Sequence, residues 1–278
     1  MMKKPDIRLI ALDLDGTLLN SQKQLTPRNA AALTRAAERG IQIVPATGRF
    51  FGGMPEAVRT LPFLRYAITV NGAQVRDLVS GESIYKAEIP WQDTLTLLRW
   101  LDTWPVAYDI YADERGWMTA SMKARIRDYV HDPIYLDMID RLREPVPDLH
   151  AFLAERQFGV QKVQVYPGSP EKRHTLLRVL TEAFPALLAT SAIAENVEIN
   201  AAAANKGQAL LALAAHLDLR PEQVMAFGDG LNDVTMLRDA GVGVAMGNAV
   251  EELHALADIV TASCDADGVA QTIEQFVL

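Results

Sequence analysis

The stretch IRLIALDLDGTLLN, residues 7–20, decides the fold of this chain of 278 residues. It begins with a continuous apolar run, IRLIAL, which is typical of a strand buried on both faces of a parallel sheet. Asp13, Asp15 and Gly16 follow where that strand ends. An Asp-Gly pair after a strand is ordinary turn chemistry. This stretch alone therefore leaves open whether its carboxylates only end the strand or form a catalytic pair.

A helix and a second strand follow the turn. Thr26 is suited to be a helix N-cap, with Pro27 at the first helical position, and Gly40 is suited to end the helix. The next apolar segment, IQIVPATGR (41–49), predicts a strand that ends in small polar residues. A strand, a helix and a strand in this order predict a βαβ unit with a right-handed crossover.

The rest of the chain falls into two kinds of pattern. The C-terminal quarter alternates short apolar runs with helical patterns, which predicts an α/β fold with a doubly wound parallel sheet. The middle is irregular and contains all four tryptophans, and VAYDIYADERGWMTA (106–120) predicts two antiparallel strands around a turn. We expect a core formed by residues 1–84 and 197–278, with an α+β domain, residues 85–196, inserted into it.

Composition narrows the function classes. A net charge of −8 disfavours nucleic acid or an anionic membrane as the main partner. The single cysteine excludes an internal disulfide, and the five histidines show no metal-binding interval. The basic start leads into an apolar run too short for a signal peptide, and no run reaches the roughly 18 apolar residues of a membrane helix. We therefore expect a soluble, cytoplasmic protein.

Polar clusters lie at or near the predicted carboxyl ends of strands, where open parallel sheets bind ligands. Each cluster alone has an ordinary interpretation as a turn, a loop or a helix start. Lys206, however, opposes the dipole of the helix that it begins, and Asp13 would be a costly buried carboxylate if unpaired. Their joint placement indicates a site. The clusters are DLDGT (13–17), ATGR (46–49), NKG (205–207) and GDGLND (228–233).

These clusters together describe phosphoryl transfer. Asp13, Asp229 and Asp233 would repel one another unless a cation lay between them, and ligation by oxygen alone favours Mg²⁺. Lys206 and the hydroxyl of Thr47, with N–H groups of the loops, would supply donors to a phosphate. A carboxylate nucleophile, a magnesium ion and a phosphate site are the parts of a mechanism through an aspartyl-phosphate.

With these motifs in this order, the sequence resembles the haloacid dehalogenase-like (HAD) hydrolase superfamily. GVGVAMGNA (241–249), DADGVA (265–270) and VNGA (70–73) resemble its Cof-type sugar-phosphatase branch. The resemblance implies a Rossmann-like core and an inserted α+β cap of the larger type (C2) that sets substrate specificity. The acid at position 15 also separates phosphatases from dehalogenases, whose pattern lacks it.

The resemblance implies roles for the matching residues. Asp13 would attack phosphorus, while Asp15 would protonate the leaving alcohol and then activate water. The metal ligands would be Asp13, the backbone carbonyl of Asp15 and Asp229, with Asp233 in support. The remaining expected contacts are to phosphate, from Thr47, Gly48, Lys206 and Asn232, and to substrate, from Arg49 and Arg115, with Tyr111, Trp117 and Lys123 as further candidates in the cap.

Several functions remain open at this point. A Mg²⁺-dependent phosphatase acting on a small phosphorylated metabolite, such as a sugar phosphate, is the first. A phosphomutase of the same superfamily and a phosphate-binding regulatory module without turnover are the alternatives. A dinucleotide-binding enzyme is disfavoured because the glycines at 241, 243 and 247 do not fit G-x-G-x-x-G. A P-loop is disfavoured because Lys206 has neither the upstream glycine nor a following Ser or Thr.

Overall fold

A computed structural model describes residues 6–190 and 195–278 of the chain. The basic residues at the start, on which the argument against a targeting segment draws, lie outside these ranges. The chain divides into two compact units. The first contains residues 1–86 and 204–278, and the second contains residues 87–203. This division lies at 203, seven residues beyond the boundary expected at 196, because the strand at 197–201 pairs within the second unit.

The helices and strands have the following bounds. The first segment of the first unit contains β1 Leu9–Leu12, α1 Pro27–Glu38, β2 Gln42–Pro45, α2 Glu56–Arg59, β3 Tyr66–Thr69, β4 Gln74–Asp77 and β5 Ser83–Lys86. The second unit contains α3 Trp91–Leu101, β6 Ala107–Ala112, β7 Arg115–Thr119, α4 Ala120–Ala124, α5 Pro133–Leu142, β8 Arg143–Val146, α6 Leu149–Arg156, β9 Lys162–Tyr166, α7 Pro170–Ala183, β10 Leu187–Thr190 and β11 Val197–Ala201. The second segment of the first unit contains α8 Lys206–His216, β12 Val224–Gly228, α9 Val234–Asp239, β13 Val242–Ala245, α10 Glu251–Leu256, β14 Ile259–Val260 and α11 Gly268–Phe276.

The first unit is built on a parallel sheet with the strand order β14-β13-β12-β1-β2. The interior strand β1, between β12 and β2, is fully buried. Leu33 of α1 and Ile273 of α11 belong to the apolar cluster on one face, and Leu210 and Leu213 of α8 to that on the other. Helices on both faces of a parallel sheet confirm the predicted α/β class.

Local signals around α1 behave as the sequence predicts. The Thr26 hydroxyl accepts a hydrogen bond from the Asn29 N–H at 3.2 Å, and Pro27 is the first helical residue. Gly40 follows the helix with φ +82°. The N-cap, the proline and the glycine therefore set the length of the crossover between β1 and β2.

An antiparallel sheet, β3-β4-β5, lies next to β2 and was not predicted. One parallel bridge, between Ala46 and Ile68, joins β3 to the end of β2. The sequence of these strands mixes polar and apolar residues, such as QVRD in β4, so no clear period distinguishes them from loop.

The second unit contains a sheet with the order β10-β11-β9-β6-β7-β8. The predicted pair of antiparallel strands within 106–120 is confirmed as β6 and β7. One face of this sheet packs against leucines of α3, α6 and α7. The other face carries two buried ion pairs, Asp109–Arg143 and Lys162–Glu198, each at 2.8 Å. Across the part of the chain that the structure describes, no helix has the length and apolar character to cross a membrane.

Candidate active site

Lys206 connects two of the predicted motifs. It is the first residue of α8, whose N-cap, Asn205, accepts a hydrogen bond from the Gln208 N–H at 2.9 Å. The Lys206 side chain is fully buried, and its ammonium group lies 2.6 Å from Asp13 Oδ1 and 2.6 Å from Asp233 Oδ1. These two ion pairs explain why a lysine occupies a position that the helix dipole disfavours.

Asp13, Asp229 and Asp233 form an acidic cluster whose carboxylate oxygens approach within 4.8 Å of one another. The register Leu12↔Phe227 brings the ends of β1 and β12 side by side, so the residues after each strand meet. The Thr17 hydroxyl donates to Asp229 Oδ1 at 2.7 Å. Asp233 Oδ2 accepts from the N–H groups of Asp229 and Gly230, each at 3.0 Å.

The electrostatics of this cluster favour a bound cation. Burial raises the pKa of Asp13 to about 8: the charge of Lys206 lowers it, but the charges of Asp233 and Asp229 raise it further. Burial also raises the pKa of Asp229. The pKa of Lys206 is raised, because its two carboxylate partners outweigh the burial that would lower it. A divalent cation with oxygen ligands fits this donor set, since it would compensate the excess negative charge.

Asp15 has a different environment from Asp13, although only one residue separates them. The Arg49 guanidinium forms a bidentate pair with Asp15, Nε to Oδ2 at 2.8 Å and Nη2 to Oδ1 at 2.9 Å, and Lys23 Nζ lies 3.0 Å from Oδ1. Burial alone would raise the pKa of Asp15, but these two cations hold it below its ordinary value. Gly16, the residue after Asp15 in the same motif, has φ +96° and turns the chain there.

Thr47, Gly48 and Asn232 contribute polar groups to the same end of the sheet. Thr47 is buried, and its hydroxyl accepts a hydrogen bond from the Arg49 N–H at 3.2 Å. The Asn232 carboxamide donates to Asn71 Oδ1 at 3.2 Å. A Cβ added to Gly48 would lie 2.8 Å from the same Asn71 oxygen. The sequence pattern predicts no role for Asn71 of the VNGA segment, because one asparagine in a short loop is typical of a turn.

Gly72 lies at the contact between this loop and the start of α8. Its φ is +91°, and an added Cβ would lie 2.3 Å from the Asn205 carbonyl oxygen. Gly40 has a similar φ, +82°, but open space around its Cα. Gly72→Ala should therefore lower the free energy of unfolding by about 1–3 kcal/mol more than Gly40→Ala, because only Gly72 adds a steric clash to the backbone strain. Denaturant unfolding of both variants measures this difference, and equal losses would contradict the close approach.

The sequence candidates in the second unit have partners within that unit. Trp117 packs on Phe152 with ring centroids 4.6 Å apart and donates its indole N–H to the Ala112 carbonyl, as expected of a packing residue. The buried Tyr111 hydroxyl donates to Gln164 at 3.1 Å. The Lys123 ammonium donates to the carbonyls of residues 140 and 143. Arg115 is exposed and lies 3.4 Å from Glu144. A contact of any of these with substrate stays a prediction.

Comparison with known proteins agrees with this geometry. The family model of haloacid dehalogenase-like hydrolases matches residues 10–273. Phosphatase YwpJ of Bacillus subtilis is 30% identical and covers 98% of this chain and 100% of its own. The 5-amino-6-(5-phospho-D-ribitylamino)uracil phosphatase YcsE of the same species is 27% identical, covering 98% of this chain and 97% of its own.

A solved structure supports the same assignment. The haloacid dehalogenase-like hydrolase from Bacteroides thetaiotaomicron superposes with a TM-score of 0.83 at 28% identity, over 97% of this chain and 99% of that one. The match extends over both units of the chain. The chain belongs to the haloacid dehalogenase-like hydrolase family, in its Cof-type branch, and is a phosphatase of that family.

Proposed function

We propose that this protein is a Mg²⁺-dependent phosphatase that hydrolyses a small phosphorylated metabolite through an aspartyl-phosphate on Asp13. The observation that carries the proposal is the buried cluster in which Lys206 pairs with Asp13 and Asp233 beside Asp229. Burying a lysine between carboxylates has a large desolvation cost, so such a group is a candidate for a functional role, and phosphoryl transfer is a reaction that uses it.

In the first step, a carboxylate oxygen of Asp13 attacks phosphorus, and the bond from phosphorus to the leaving oxygen breaks. Lys206, 2.6 Å from Asp13 Oδ1, orients the nucleophile and offsets negative charge on the transferring group. The Thr47 hydroxyl, the N–H of Gly48 and the Asn232 carboxamide are the donors proposed for the phosphoryl oxygens. Protonated Asp15 gives its proton to the leaving alkoxide, so an alcohol departs.

In the second step, the Asp15 carboxylate takes a proton from water, and the resulting hydroxide attacks phosphorus. The bond from phosphorus to Asp13 breaks, which releases phosphate and restores the free carboxylate. The pairs with Arg49 and Lys23 hold Asp15 in its ionised form, the form that this step requires. For the first step Asp15 must take up a proton, and the same two pairs oppose this.

Asp13, the backbone carbonyl of Asp15 and Asp229 are the residues proposed to hold Mg²⁺. The donor set fits, because it offers only oxygen atoms and because the clustered carboxylates carry raised pKa values. When bound, Mg²⁺ compensates charge on the phosphoryl group and the nucleophile. Both Asp233 oxygens already accept hydrogen bonds, from Lys206 and from two backbone N–H groups, which supports a role outside the direct ligands.

The substrate class is a phosphomonoester of a small metabolite, with sugar phosphates as the first candidates. The relative YcsE is a phosphatase of 5-amino-6-(5-phospho-D-ribitylamino)uracil, a phosphorylated ribityl compound, which supports the class. Arg49 and Arg115 remain the proposed substrate contacts. The pairing of Arg49 with Asp15 also allows it to act by holding the acid–base residue.

The test is release of phosphate from p-nitrophenyl phosphate and from a panel of phosphorylated metabolites, with and without Mg²⁺. The panel should contain sugar phosphates, nucleotides, pyridoxal phosphate and flavin mononucleotide. Free phosphate that depends on Mg²⁺ is the expected product. Isomerised sugar phosphate in its place would indicate a mutase, and no turnover on any ester would indicate a phosphate-binding module.

The metal dependence of stability should change with pH. In the metal-free protein, burial raises the pKa of Asp13 from the unfolded value of 3.8 to about 8. The contribution of Asp13 to folding stability is therefore fully present below about pH 3.8 and is lost as pH rises through about 8. Mg²⁺ should therefore raise the thermal midpoint more at about pH 8.5 than at about pH 6, because it replaces a proton. Asp13→Asn should weaken this dependence, and an equal Mg²⁺ effect at both pH values would contradict it.

A further inference from the structure

The turn Val70–Gly72 has an unusual backbone. Its three consecutive residues have positive φ: 51° at Val70, 56° at Asn71 and 91° at Gly72. Glycine adopts this region freely and asparagine tolerates it, but a β-branched valine there is a true outlier. Such strain persists only where the surrounding structure imposes it, and it concentrates at functional sites. The turn is buried, so the contacts that impose it come from its neighbours.

Those neighbours belong to two of the four motifs, ATGR (46–49) and NKG (205–207). The Val70 N–H donates to the Arg49 carbonyl and the Asn71 N–H to the Thr47 carbonyl, each at 3.0 Å. On the other side, Gly72 approaches Asn205 and Lys206 so closely that an added Cβ would lie within 2.8 Å of their backbone. The turn therefore lies between the Thr47 loop and the helix that begins at Lys206, and it sets the distance between them.

The Asn71 side chain extends this contact to a third motif, GDGLND (228–233). Its Oδ1 accepts the hydrogen bond from Asn232 Nδ2 at 3.2 Å and lies against the Cα of Gly48. Asn71 is buried, whereas Asn232 is exposed. An exposed asparagine has several accessible rotamers, so the buried partner selects one of them before any ligand arrives.

We propose that Asn71 is a positioning residue: its carboxamide holds Asn232 against the Thr47–Gly48 loop, where Asn232 can bind the phosphoryl group. This inference rests on the proposed function of the site and adds a residue to it. Asn71 therefore acts on the binding of the phosphoryl group, which all phosphoesters share. Its loss therefore weakens catalysis by the same factor for p-nitrophenyl phosphate and for the preferred metabolite, whereas loss of a specificity residue would change their ratio.

Asn71→Gly is the informative variant, because glycine keeps the left-handed backbone and removes only the carboxamide. We expect kcat/KM to fall about tenfold or more in Asn71→Gly, because small displacements of a binding group cost that much. In Asn232→Ala, kcat/KM should fall by a similar factor. The double variant should lose no more than the larger single loss, because both substitutions remove the same hydrogen bond. Gln157→Gly, at an exposed left-handed residue of the second unit with φ +53°, is the matched control and keeps full activity.

Losses that multiply in the double variant, an unchanged Asn71→Gly enzyme, or a factor that differs between substrates would each overturn the inference. A binding measurement separates it from the proposed function. Inorganic phosphate with Mg²⁺ should raise the thermal midpoint of the wild type and raise it less in Asn71→Gly. Equal shifts, or no shift in the wild type, would refute the role of Asn71. If no phosphoester were turned over but the midpoint shift were still smaller in Asn71→Gly than in the wild type, only the phosphatase mechanism would be refuted.

Discussion

Asp13→Asn should abolish turnover, with a loss in kcat on the order of a thousandfold or more, as for other covalent nucleophiles. The amide has nearly the shape of the carboxylate but is too poor a nucleophile to form the acyl-phosphate. Lys206 keeps its second partner, Asp233, so the lysine stays paired in the variant. Initial rates of phosphate release at saturating p-nitrophenyl phosphate and Mg²⁺ measure this loss.

Asp265→Asn is the matched control for this substitution. Asp265 is an exposed aspartate of the same unit, and its carboxylate accepts a hydrogen bond from the Ser21 N–H at 2.8 Å. We expect it to retain activity, while both variants keep a cooperative thermal transition. If Asp13→Asn retained more than about a tenth of the wild-type rate, a covalent aspartyl-phosphate could not be the main route.

Lys206→Met should have the largest effect on stability. It leaves two carboxylates, Asp13 and Asp233, buried without the ammonium group that lies 2.6 Å from each. Removing one partner of a buried ion pair typically costs about 3–5 kcal/mol, because the remaining charge stays desolvated. Activity should be lost as well, because the ammonium group that orients Asp13 and offsets charge on the transferring group would be missing. Denaturant unfolding in metal-free buffer measures the stability term.

The pH dependence of this loss has a defined sign. Lys206 lowers the pKa of Asp13, so the variant raises a pKa that is already about 8 in the folded wild type. Between the unfolded value of 3.8 and about pH 8, Asp13 keeps its proton in both folded proteins, so the stability deficit relative to wild type should stay nearly constant there. It should grow as pH rises above about 8, where Asp13 ionises in the wild type but not yet in the variant. Lys23→Met is the control, because its pair with Asp15 is half-exposed and should cost less than about 1 kcal/mol. Equal costs for the two lysines would contradict the buried pairing.

The sequence predicts best what depends on local patterns. The apolar run before Asp13, the Thr26 N-cap and the alternation of the C-terminal quarter predict the parallel sheet, because burial and capping leave periodic signals. The joint placement of the motif clusters likewise anticipates that Asp13, Asp229 and Asp233 meet, because parallel strands end at one edge.

What the sequence does not predict are contacts between side chains that are distant along the chain. The pairing of Arg49 with Asp15 spans 34 positions, and nothing in the spacing of the motifs indicates it. The hydrogen bond between Asn71 and Asn232 spans 161 positions. The buried pair of Asp109 with Arg143 on the second sheet likewise joins residues 34 positions apart. Charge compensation removes the cost of burial in the folded state without leaving a periodic signal.

The strand order has a consequence for the synthesis of the protein. The interior strand β1 is made first, yet one of its neighbours, β12, comes from residues 224–228. During translation, the edge of β1 that pairs with β12 therefore stays unpaired until more than two hundred further residues have been synthesised. The inserted unit, residues 87–203, can complete its own sheet in this interval. The acidic cluster of Asp13, Asp229 and Asp233 and the pairing of β1 with β12 are thus completed together and late. A chain truncated before residue 224 should therefore expose β1 to aggregation.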